Sequence, residues 1–178
     1  MKESDMEEIV REYIEKEYIS KNNGWRYPSN QQELKKQSEH GVDISLYNQK
    51  KGDRIVIELK KWSKTPAVNH NSFYSLFGQL LSRIKDVPSK NYALRRKIVI
   101  ATPTDFVNLI HKKVKNVKNN KVKGMEGGWT LFGKITNLRI WSVNMKTREV
   151  KEYHWKDFLK DELKSLSVGV SFHCPIFY

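Results

Sequence analysis

Apolar side chains near the start of the chain fall at Met6, Ile9, Val10, Tyr13, Ile14 and Tyr18, in steps of three and four. That spacing predicts an amphipathic helix, capped by Ser4 or Asp5 with acidic residues in its first turn. Asn22, Asn23 and Gly24 end it, and Trp25 to Tyr27 begin a short strand before Pro28. Ser29 to His40 is polar, with room for a helical turn around Glu33 to Lys36. Val42, Ile44 and Leu46 then alternate with Asp43, Ser45 and Tyr47, the period of a strand. A polar turn from Asn48 to Asp53, with Gly52, leads into the apolar run Arg54 to Lys60, so the two strands read as a hairpin. Ser72 to Lys85 carries Phe73, Leu76, Phe77, Leu80, Leu81 and Ile84 at helical spacing, and Pro88 follows its end. Lys97 to Ala101 reads as a buried strand closed by Thr102 and Pro103, and Asp105 to Lys115 as a helix starting near Thr104 or Asp105. Thr130 to Phe132 and Leu138 to Val143 predict further strands, and Tyr153 to Leu166 a last helix.

The order favours an α/β or α+β domain with helices packed on a sheet. A length of 178 residues fits one domain over the whole chain, with a core from about 6 to 143 and a C-terminal helix and tail over 151–178. The 38% of hydrophobic residues suffices for a true core and excludes a disordered basic tail. No apolar run approaches the ~20 residues of a membrane helix, and the acidic start is unlike a signal peptide. A soluble intracellular, cytoplasmic protein that does not engage membranes is expected. A single cysteine, Cys174, excludes an intrachain disulfide, and the five histidines show no zinc-site spacing.

Charge changes the picture most. Thirty-three lysines and arginines against 20 acids give a net charge of +13, which attracts polyanions and makes nucleic acid the first candidate partner. Lys61 and Lys64 follow the hairpin, Arg95 and Arg96 precede the next strand, and six lysines crowd 112–123, among them Lys112, Lys113, Lys115 and Lys118. Such groups bind phosphates without reading sequence. Each run taken alone also suits a solvated surface. Trp62, Tyr74 and Trp129 suit either stacking on unpaired bases or packing.

Glu58 and Lys60 lie two apart at the end of the second hairpin strand and share a face, and Asp43 stands across the hairpin. Two carboxylates held together repel unless a cation separates them, and hard oxygen donors suit Mg²⁺. A neighbouring lysine can orient a nucleophile or offset transition-state charge. Taken singly, a Glu-X-Lys is also an ordinary ion pair at a strand end.

Gly41-Val42-Asp43, fourteen residues, then Glu58-Leu59-Lys60 resembles the PD-(D/E)XK nuclease superfamily, which includes restriction endonucleases, Holliday-junction resolvases and RecB-type nucleases. Val42 stands where the eponymous proline would be. The resemblance implies a restriction-endonuclease-like core of order αβββαβ around a mixed sheet, over about Met6 to Thr102. It implies a metal held by Asp43, Glu58 and the main-chain carbonyl of Leu59, with Mn²⁺ able to replace Mg²⁺, and Lys60 assisting the attacking water. Many members carry a glutamate on the first helix; Glu7 matches it, with Glu8, Glu12 and Glu17 as competitors. Phe77-Gly-Gln-Leu-Leu-Ser-Arg resembles the RecB-type helix whose glutamine lies near the site, which makes Gln79 a catalytic candidate; Arg83 stands where those proteins often carry tyrosine and suits a phosphate, while both also suit the polar side of a core helix. The implied activity is hydrolysis of phosphodiester bonds, with DNA as substrate and a homodimer as one assembly. A noncatalytic nucleic-acid-binding module on the same fold is the alternative.

Overall fold

A computed structural model describes residues 3–28, 43–61, 63, 65–84, 96–116 and 127–160. They form a six-stranded mixed sheet with helices on both faces, an α+β architecture. In chain order the elements are α1 (Glu3–Ile14), a π-helical turn (Glu15–Ile19), β1 (Trp25–Arg26), β2 (Ile44–Asn48), β3 (Asp53–Leu59), α2 (Pro66–Ile84), β4 (Arg96–Pro103), α3 (Thr104–Asn116), α4 (Gly128–Thr136), β5 (Arg139–Asn144), β6 (Glu149–His154) and a 3₁₀ turn (Trp155–Leu159). The run from α1 to β4 has the αβββαβ order expected, consistent with a restriction-endonuclease-like core.

The strands lie side by side in sequence order. β1, β2 and β3 pair antiparallel, β3, β4 and β5 pair parallel, and β6 returns antiparallel on β5. Parallel neighbours need a crossover, and α2, then α3 with α4, supply them. A tight turn with Gly52 at φ 69° joins β2 to β3.

Alternation along the strands divides the core into two layers. Met6, Ile9, Val10 and Ile14 of α1 cover Ile44, Leu46, Ile55, Ile57, Leu59, Val99 and Ala101 on one face. Phe73, Leu76, Phe77 and Leu80 of α2, with Phe106, Val107 and Ile110 of α3, cover Ile98, Ile100 and Ile140 on the other. Each large apolar side chain removed from water contributes about 2 kcal/mol, so both layers hold the sheet firmly.

Three expectations are corrected. Thr130 to Phe132 are helical, because Trp129 and Phe132 of α4 join an aromatic cluster with Phe77 and Trp155. Gly133 is required there, since a Cβ would collide with the Trp155 indole, whose Nε1–H donates to the Trp129 carbonyl at 2.6 Å. Tyr153 and His154 end strand β6 instead of starting a helix, and Trp155–Leu159 is a 3₁₀ turn. The fold's sheet therefore extends past 143, beyond the core boundary expected. The remainder of the expected last helix, the tail, and the segment Ser29 to His40 lie outside the described residues.

Candidate active site

The hairpin register fixes the site. Ile44 pairs with Ile57 at the end of the hairpin, and Asp43 and Glu58 are the next residues along the chain beside that pair. Glu58 in turn pairs with Ile100, which places its side chain on the face covered by α2 and α3. The paired Ser45 and Val56 lie one step further into the hairpin on that face, and Asp43 and Lys60 stand just beyond the ends of β2 and β3. Glu58 is buried, and Asp43 and Lys60 are half-buried.

Asp43 is oriented by the main chain: its Oδ2 accepts the Leu59 N–H at 2.6 Å. A carboxylate has about four lone-pair sites, so this bond aims the group without exhausting its capacity. The N–H and C=O of one strand residue leave the strand on the same side. Leu59 O therefore points toward Asp43, away from β4, whose Ala101 carbonyl accepts the Lys60 N–H at 2.9 Å. The Asp43 carboxylate thus meets the main chain between Glu58 and Lys60.

The backbone beneath that lysine is pinned. Its carbonyl accepts the Thr102 hydroxyl at 2.7 Å. Asn69, only 2% exposed, then clasps the following loop, its Oδ1 accepting the Ser63 N–H at 2.8 Å and its Nδ2 donating to the Ser63 carbonyl at 2.5 Å. Sequence reasoning missed Thr102 and Asn69 as supports. A polar residue at the end of an apolar strand, and an amide just ahead of an apolar helical run, were the signals available.

The other expected residues distribute more widely. Glu7 lies on α1, whose apolar side covers the opposite face from Glu58, and its carboxylate accepts from Arg11 at 2.9 Å. Arg11 in turn lies over the Tyr27 ring, 5.6 Å from its centroid. Gln79 is exposed on α2. Lys61 and Lys112 are exposed, and Lys113 reaches from α3 to the imidazole of His70 on α2. Arg83, Arg96 and Lys115 belong to α2, β4 and α3, with side chains outside the described residues. Gly41, Val42, His40, Trp62, Lys64, Arg95 and Lys118 also lie outside them. Among the described residues, no group of three or more His, Cys, Asp or Glu side chains gathers in a metal-binding arrangement, and no helix is long and apolar enough to cross a membrane.

The chain matches no protein-family model and no curated protein. A crystal structure of an XisH family protein from Nostoc punctiforme aligns over 82% of this chain and 95% of that one, with a TM-score of 0.44 and 12% identity.

Proposed function

We propose that this protein is a divalent-metal-dependent nuclease that hydrolyses phosphodiester bonds in DNA. The observation that carries the proposal is the bond at the end of the hairpin, where the Leu59 N–H, next to Glu58 in the chain, donates to the Asp43 carboxylate. The donor set fits Mg²⁺, which takes hard oxygen ligands, needs only one or two carboxylates and keeps several waters. Asp43, Glu58 and Leu59 O would hold it, and Mn²⁺ would serve in its place. Bound there, such a metal polarises a phosphoryl oxygen and acidifies its water.

The chain's own residues do the rest. The two carboxylates set where the cation and the phosphate meet. Lys60, two residues beyond Glu58 on the same face, presents an ammonium to the attacking water and to charge building on the phosphoryl oxygens. Thr102 and Asn69 hold the main chain on which that lysine is mounted. The net charge of +13, with Lys61 exposed directly after Lys60, supports binding of the phosphate backbone without sequence readout.

The test is a time course on supercoiled plasmid, single-stranded circle and four-way junction, with Mg²⁺, Mn²⁺ or EDTA. Metal-dependent cutting that Asp43→Ala abolishes is the expected result. Salt-sensitive binding without cutting of any substrate overturns it in favour of a noncatalytic nucleic-acid-binding module.

A further inference from the structure

One exposed feature close to the candidate site in the chain lies outside both core layers and touches one of them where Tyr74 meets Phe73 at a T-shaped 5.3 Å contact. Tyr74 on α2 is 61% exposed, and its ring stacks on that of His70 one turn earlier, with centroids 5.9 Å apart and planes 11° from parallel. Lys113 comes across from α3 so that its ammonium lies against the His70 imidazole. Lys112 beside it is exposed. An aromatic face turned to water is an unusual use of a tyrosine whose neighbour Phe73 is fully buried. His70 and Lys113 hold that face from one edge and leave a cation beside it.

The pair is also fixed relative to the catalytic candidates. Asn69, the residue before His70, grips both backbone groups of Ser63, in the short loop that leaves Lys60. Asn69 N–H also donates to the Thr65 carbonyl at 3.2 Å, which seats the first turn of α2 on that loop. The helix that begins a few residues beyond Lys60 thus carries a flat aromatic surface, and α3 brings the Lys113 ammonium to its His70.

Resting on the nuclease function proposed above, we infer that His70, Tyr74 and Lys113 form a stacking platform for an unpaired base, so that the DNA substrate is single-stranded beside the cleaved bond. Every base offers a π-face, whereas the bases of an intact duplex are stacked on one another. The adjacent ammonium pairs with the phosphate of the nucleotide that stacks.

Binding measured by fluorescence anisotropy in EDTA tests this without any cleavage. The probes are a labelled single strand of about 20 thymidines, an abasic strand of the same length, and a blunt duplex. Wild type should prefer the thymidine strand to the abasic one. Tyr74→Ala should weaken thymidine binding about tenfold, the scale of one lost base stack, and leave the abasic strand and the duplex unchanged. Tyr74→Phe should retain wild-type affinity. Equal wild-type affinity for thymidine and abasic strands, or an unaltered thymidine affinity in Tyr74→Ala, overturns the platform. Because Tyr74 is exposed, the variant's melting temperature should match wild type, and an affinity loss accompanied by lower stability and weaker duplex binding counts against stacking. Failure of nuclease activity would appear separately, as base-dependent binding with no Mg²⁺-dependent cutting.

Discussion

Two buried glutamates, one on each side of the sheet, stand in different settings. Glu152 of β6 is surrounded by donors: the phenols of Tyr13 and Tyr18 reach its Oε1 at 2.9 and 2.5 Å, and the Arg139 guanidinium lies 3.6 Å from its Oε2. Five residues of regular α-helix would point the two tyrosines roughly 140° apart. The wider π-helical turn, in which the Ser20 N–H reaches the Glu15 carbonyl at 2.8 Å, brings Tyr18 round to the side of Tyr13. Burial, reinforced by the Glu152 charge, pushes both phenols upward in pKa, so they remain protonated donors. Glu58 stands near the end of β3, next to the Leu59 N–H that the Asp43 carboxylate accepts. The Glu152 carboxylate, ringed by donors, is a strut, whereas the nuclease function proposed above gives Glu58 a cation to hold.

The sharpest way to break this contrast is at the acidic pair. Asp43→Ala or Glu58→Ala should lower the cleavage rate at least about a thousandfold, the several kcal/mol that metal-assisted stabilisation supplies. Circular dichroism should show the fold retained. Lys60→Ala should cost about a hundredfold in the same assay, on the scale of one removed transition-state donor.

On the other face the same kind of change should act on stability. Glu152→Ala removes the carboxylate that Arg139 and two phenols share, and should destabilise the protein by about 3 kcal/mol in urea titration. Glu58→Gln keeps the shape of the side chain while removing its charge, and the same titration should place it within about 1 kcal/mol of wild type. Equal losses in both variants would erase the distinction.

The smallest effect concerns His154, at the junction of β6 and the 3₁₀ turn. Burial, with Arg139 and Lys156 adding to it, holds its pKa down at about 4 against an ordinary 6.5, and its ring accepts the Asp157 N–H. The neutral ring is therefore favoured in the folded state. Its contribution is complete above pH 6.5 and is lost as pH falls toward 4. Urea midpoints at pH 7 and 4.5 should diverge for wild type more than for His154→Gln.

Much of this organisation was legible in the chain. The alternation over Val42 to Lys60 gave the hairpin, and the same alternation put Glu58 and Lys60 two residues apart on one expected face. β6 was hidden by the residue that makes its face distinctive. Val150 and Glu152 both point inward, and a buried glutamate at a core position breaks the apolar alternation by which a strand is recognised. α4 was hidden because Thr130, Leu131 and Phe132 suit a strand locally, whereas packing of Trp129 and Phe132 around Trp155 requires helical spacing. Asn69 acts through backbone atoms six residues earlier, a contact that sequence periodicity does not encode.

The central claim is that Asp43 and Glu58 together hold a divalent cation. Titration of Mn²⁺ into metal-free protein, followed by the loss of its free-ion paramagnetic resonance signal, tests this without any nucleic acid. One bound Mn²⁺ per chain, displaced by Mg²⁺ and lost in both Asp43→Ala and Glu58→Gln, is the result predicted. Undiminished Mn²⁺ binding in both variants, or none in wild type, would contradict it.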